Sequence, residues 1–188
     1  MKWNVLRSSR LWVLVTCGLF ALAPAHAASP PVSVPARLEI VDPLSISKIS
    51  DMDFGKVVPT TNAGTVVMTP TAAATCTAAG GLIQTGTCRA AEFQGRGLPL
   101  QLFRIKLPAQ RRMTLTGPGA DMVVDNMTTG ISGGLTLISV SPGNGFTRYL
   151  ILDLDGQFRY YIAGRLNVGA NQTPGSYFGT FRILVDYN

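Results

Sequence analysis

Apolar and polar residues alternate along most of this chain, and the alternation is cleanest near its C-terminal end. Between Gly175 and Asn188, Phe181, Ile183, Val185 and Tyr187 fall on one face, while Thr180, Arg182, Leu184 and Asp186 fall on the other. Successive side chains of a strand point to opposite faces, so a complete inward row predicts a finished piece of sheet, not a fraying tail. A second row lies near the opposite end, where Val32, Val34, Ala36, Leu38 and Ile40 occupy every second position, separated by Ser33, Pro35, Arg37 and Glu39. Pro35 sits on the polar side and has no N–H to donate, which favours an edge or added strand over a central one.

The period stays near two in between, and no stretch holds a convincing helical repeat. Strands are predicted over 44–50, 52–58, 65–69, 89–93, 100–107, 113–116, 122–127, 135–140, 147–154, 158–166 and 177–187. Gly117-Pro118-Gly119, Gly133-Gly134, Pro142-Gly143-Asn144-Gly145, Asp155-Gly156 and Pro174-Gly175 separate them as turns. Asp155-Gly156, between Leu150/Leu152/Leu154 and Phe158/Tyr160, is the strongest hairpin signal, because both central positions of a type I′ turn need positive φ. Many short strands with Gly/Pro turns predict an antiparallel all-β fold, a sandwich or a small barrel. No internal repeat is visible.

The first residues read as an export signal. Lys2, Arg7 and Arg10 make a positive start, Leu11–Leu22 an apolar core, and Ala25-His26-Ala27 a small-residue cleavage site. That core is shorter than the roughly twenty residues a bilayer span needs, and no later stretch serves, so no membrane span is expected after processing. The expected organisation is a signal over 1–27, a flexible extension over 28–37 and one domain over 38–188. Loss of the signal removes Lys2, Arg7 and Arg10 from the 16 Lys and Arg, which stand against 10 Asp and Glu, so much of the basic balance leaves with it. Without a dense basic cluster beyond Arg111-Arg112, nucleic-acid binding has little support. His26 is the chain's one histidine and also leaves, which excludes imidazole chemistry from the processed form.

Cys76 and Cys88 remain. In an exported protein an even pair reads as a disulfide, and a loop of about 13 residues contributes ~3 kcal/mol by restricting the unfolded chain. With no histidine to complete a ligand set, no metal or other cofactor is expected there. Asp51/Asp53 and Asp153/Asp155 each place two carboxylates on one strand face, a start toward calcium or acid/base work. Their neighbours Met52/Phe54 and Leu152/Leu154 are expected to take the core face and leave the carboxylates in water. No G-x-S-x-G elbow, S-x-x-K box or phosphate-cradling loop appears, so an enzyme is not expected. Arg159, Tyr161 and Arg165, on a basic aromatic strand with Tyr160, are candidates for a glycan or anionic ligand surface.

Several segments together resemble a secreted bacterial family, domain of unknown function 4402, and more distantly spore coat protein U and the chaperone-usher pilins. They are Pro43-Leu44-Ser45-Ile46, Met52-Asp53-Phe54-Gly55, Ile105-Lys106-Leu107-Pro108, Met122-Val123-Val124, and Gly175-Ser176-Tyr177-Phe178-Gly179-Thr180-Phe181 running on to Tyr187-Asn188. Gly175 stands fourteenth from the C-terminus and Tyr187 penultimate, as in the last strand of pilin subunits. The resemblance implies an immunoglobulin-like or pilin-like β-sandwich left incomplete, its groove filled by a chaperone strand and then by the N-terminal extension of the next subunit.

Gly175, Tyr177, Phe181, Ile183, Val185 and Tyr187 would then form the assembly strand, and Val32, Val34, Ala36, Leu38 and Ile40 the donor. A second reading makes residues 38–46 the domain's own first strand. The expected function is a pilin-like or coat-like subunit, in the periplasm, at the cell surface or outside the cell. Its expected partners are further copies, a periplasmic chaperone and an outer-membrane usher. The alternatives are a monomeric envelope module binding a glycan or an anion, and an outer-membrane barrel, whose usual terminal aromatic is replaced here by Asn188.

Overall fold

The computed structural model describes Leu38, residues 43–141 and residues 145–188. Contacts divide the chain into Met1–Leu38 and Glu39–Asn188, and the second unit is described below. Its strands are β1 (Ser45–Ser50), β2 (Lys56–Val58), β3 (Gly64–Met68), β4 (Cys76–Ala79), β5 (Ile83–Thr85), β6 (Ala91–Arg96) and β7 (Leu102–Lys106). They continue with β8 (Met113–Leu115), β9 (Met122–Ser132), β10 (Leu135–Ser141), β11 (Phe146–Ile151), β12 (Gln157–Val168) and β13 (Leu184–Tyr187). A single 3-10 turn, Ala109–Arg111, precedes β8.

The predicted all-β class is what forms, as a β-sandwich with antiparallel pairing throughout. The long β12 organises the larger sheet. One of its edges carries β6 along Gln157–Ile162 and β3 along Arg165–Val168; its other edge carries β9. Outside these lie β1 on β6, β4 on β3 and β8 on β9. The second sheet runs β10-β11-β7-β13, and β2 and β5 form a small ribbon. The neighbours β1-β6-β12 and β11-β7-β13 follow the order A-B-E and C′-C-F of an immunoglobulin sandwich, in which a strand G lies on the far edge of F. Among the described residues no strand pairs with that edge of β13.

Alternation explains the core. Phe158, Tyr160, Ile162, Leu166 and Val168 of β12 face Phe103, Ile105, Tyr149 and Ile151 of the smaller sheet, and all are buried. The Phe103 and Phe158 rings meet at 4.7 Å across the two sheets, and Phe93 stacks on Tyr160 at 5.1 Å. Each such ring removed from water stabilises the fold by roughly 1.5–3 kcal/mol. Gly95 is needed opposite Phe158, because a Cβ there would stand 2.3 Å from the ring.

The structure corrects three expectations. Asp155-Gly156 does not close a hairpin: β11 and β12 lie in different sheets, and the turn carries the chain between them. Asp153 directs it, its Oδ1 accepting the N–H groups of Asp155 and Gln157, while the Gly156 N–H bonds the Asp153 carbonyl. The Leu150/Leu152/Leu154 row also breaks. Ile151 is the buried residue, and Leu154 is 80% exposed, so no core face turns Asp153 and Asp155 outward. Finally, the predicted strand over 177–187 is laddered only over Leu184–Tyr187.

Cys76 and Cys88 form the expected disulfide, with Cα atoms 5.9 Å apart. It closes a loop containing β4 and β5, two short strands that the Thr/Ala/Gly-rich sequence did not reveal.

Candidate functional site

An open cleft of about 1020 Å³ enters the sandwich between two segments of chain. One wall follows the end of β1 through Asp51, Met52, Phe54 and Val57. The other is the C-terminal segment from Gly175 to Ile183. The floor is core: Ala91 and Phe93 of β6, Met113 and Leu115 of β8, Met122 of β9, Leu166 and Val168 of β12. The cleft therefore reaches hydrophobic side chains that a closed sandwich would cover.

Sequence fixes the second wall step by step. Gly175 has φ of +146° and lies so close to Pro118 that a Cβ would come within 2.5 Å of the proline ring; it belongs to a turn, not to the strand. Gln172 Nε2 donates to the Tyr177 hydroxyl at 2.8 Å and to the Ala120 carbonyl at 2.5 Å, and Tyr177 donates to the Thr173 carbonyl at 2.8 Å. Phe178 then exchanges two backbone hydrogen bonds with Thr116, at 2.8 and 3.0 Å. Next, Gly179 presses against the Thr114 carbonyl of β8, where any Cβ would clash at 2.1 Å.

Beyond that contact the wall has no ladder. No backbone hydrogen bond joins residues 179–183 to another described residue. The alternation nevertheless holds: Phe181, Ile183, Val185 and Tyr187 turn inward against the core and are partly buried, as the sequence predicted. From Leu184 the segment is bound to β7 on one side, with the Leu98 N–H donating to the Tyr187 hydroxyl at 2.9 Å. Arg104 clamps Asp186 on the outer face at 2.5 and 3.0 Å and holds its carboxyl below the usual carboxylate range. The other edge of β13 and the outer edge of β1 are both without a partner strand among the described residues.

Of the candidate donor side chains, Val32, Val34, Ala36 and Ile40 lie outside the described residues, and Leu38 is 88% exposed. Arg159, Tyr161 and Arg165 occupy the outer face of β12. Arg159 pairs with Glu92 at 3.1 Å, Arg165 forks onto Asp125 at 2.9 and 3.0 Å, and Tyr161 is buried. Asp53 accepts the N–H of Gly55 and Asp51 pairs with Lys48. Among the described residues no three His, Cys, Asp or Glu side chains converge to hold a metal. The floor residues Ala91, Met113, Leu115 and Met122 were not singled out from sequence, since periodicity marks a core face without telling which part of it borders a cleft.

Residues 44–187 match a family model described as Domain of unknown function (DUF4402). No curated protein and no solved structure matches the chain.

Proposed function

The chain belongs to the DUF4402 family, and we propose that it is an exported, strand-accepting subunit of a surface assembly. The observation that carries this reading is the cleft beside the stretch 179–183, which makes no backbone hydrogen bond to another described residue. An added extended segment would pair its backbone with residues 179–183 and send alternate side chains into the cleft. Main-chain hydrogen bonds would supply affinity, and the pockets between Met52, Phe93, Met113 and Phe181 would supply selectivity.

The proposed occupant is the segment Val32–Ile40 of a second copy. It is nine residues long, as is the wall from Gly175 to Ile183, and its five alternate apolar side chains suit a cleft lined by Met52, Phe93, Met113, Leu115, Phe181 and Ile183. Burying its four larger side chains yields ~1.5–3 kcal/mol each. Ordering its backbone costs ~1–2 kcal/mol for every residue. Side-chain burial alone does not cover that cost, so capture depends on a groove already built and on the hydrogen bonds of the wall. The disulfide fits an oxidising compartment, and a chaperone strand would serve the same edge before assembly.

The test compares purified wild-type protein with Val34→Asp/Leu38→Asp on unheated SDS gels and by electron microscopy. Wild type should give ladders and filaments, the variant monomers with an unchanged melting temperature. Wild type that stays monomeric at every concentration would overturn the proposal. A variant whose melting temperature falls independently of concentration would do so too, since the segment would then be closing its own sandwich.

A further inference from the structure

We infer that the outer face of the four-stranded sheet, through Lys106 and Arg148, binds an anionic polysaccharide. Strand register sets these cations side by side. Arg148 of β11 stands directly across from Arg104 of β7, and Lys106 lies two residues further along β7, opposite Phe146. Like charges directly opposite on neighbouring strands destabilise a sheet. Asp186, on the other side of β7, pairs with Arg104 and lies near enough to Lys106 to feel its charge, while Arg148 has no such relief. Among the described residues no carboxylate pairs with Lys106 or Arg148; Arg148 reaches only the neutral Asn188 and Ser141 side chains, at 3.3 and 3.4 Å. The face thus carries two cations, Lys106 and Arg148, without an ion-pair partner among the described residues.

The cations are also held in place. The Phe146 ring lies 4.6 Å from the Arg104 guanidinium carbon and 5.2 Å from the Lys106 nitrogen, fixing both heads above the sheet and lowering the ordering cost of binding. Along β7 the two are about 7 Å apart, and Arg104 and Arg148 about 5 Å apart across the ladder, a flat grid suited to a chain with repeated acidic groups. Ser139 and Ser141 flank it on β10 and offer hydroxyls to a sugar. The ring is occupied by its two cations and gives no free aromatic platform on which bases could stack, which argues against single-stranded nucleic acid. These side chains lie outside the cleft, so the inference stands or falls separately from strand acceptance.

Purified protein is tested on immobilised polygalacturonate, neutral dextran and single-stranded DNA. Wild type should bind polygalacturonate with an affinity that weakens as salt rises, and should ignore dextran. Lys106→Glu/Arg148→Glu should bind roughly tenfold or more weakly, given the modest contribution of each exposed charge. Lys106→Gln/Arg148→Gln should fall in between and decides the matter if the Glu variant misfolds. Arg159→Glu, on the other sheet, should bind as wild type does. The inference is overturned if the Gln and Glu variants bind undiminished, if Arg159→Glu is equally weakened, if dextran is retained alike, or if DNA binds more tightly through the same two residues.

Discussion

Tyr149 and Tyr160 stand side by side in the core with opposite fates. Tyr149 is buried and its hydroxyl lies 2.5 Å from that of Thr129, whereas the equally buried Tyr160 hydroxyl meets no hydrogen-bonding partner among the described residues. Burial pushes both phenols up from their ordinary range. A buried polar group that finds a partner adds about 1 kcal/mol, and one that finds none costs about 1 kcal/mol or more in lost hydration. Tyr160→Phe should therefore leave stability unchanged or raise it by up to ~1 kcal/mol, while Tyr149→Phe should lower it by about 1 kcal/mol. Chemical denaturation of both variants checks the pair, and a clear loss in Tyr160→Phe would show a hidden partner. The sequence named both tyrosines as strand residues, but a hydroxyl's partner depends on which strand lies opposite. Thr129 lies twenty positions from Tyr149 and in the other sheet.

Among the elements, those whose alternation meets a core on one side were legible. β1, β3, β8, β10 and β12 lie within two residues of their predicted bounds, and the inward row from Phe181 to Tyr187 holds residue for residue. What alternation cannot express is pairing. Asp155-Gly156 has the composition of a hairpin turn, yet the Ile151 N–H bonds the Gln101 carbonyl and the Gly97 N–H bonds the Gly156 carbonyl, so tertiary partners take the chain to the other sheet. The same limit hid the unladdered stretch 179–183, whose sequence looks as regular as that of β13. Residues 179–183 should exchange their amide hydrogens much faster than Leu184–Tyr187, because only the latter are paired with β7. Hydrogen exchange read by mass spectrometry would show this. Protection of 179–183 appearing together with SDS-resistant ladders would place the added strand on this wall, and ladders without that protection would place it elsewhere.

At the scale of the whole molecule, one bidentate ion pair in each sheet ties two neighbouring strands together, and both pairs respond to acid. Arg165 forks onto Asp125 between β12 and β9, and Arg104 onto Asp186 between β7 and β13. In each pair the hydrogen bond from the arginine is the main cause holding the carboxyl below its ordinary value of 3.8. A carboxyl that binds protons less readily folded than unfolded adds stability above its unfolded pKa and loses it as pH falls through the lower folded value. The loss therefore begins near about pH 4 and deepens below it. Both pairs stand partly in water, which keeps each contribution small. Asp125→Asn/Asp186→Asn should melt somewhat lower than wild type at neutral pH, show a flatter decline under acid, and converge with wild type once both carboxyls are protonated. Melting curves that stay parallel down through the acid range would show that neither pair carries folding stability. Loss confined to Asp186→Asn would leave the β13 clamp as the acid-sensitive element. In that case β13 and the cleft wall that leads into it, not the core of the sandwich, would loosen first, and acid would free the C-terminal segment before it unfolded the domain.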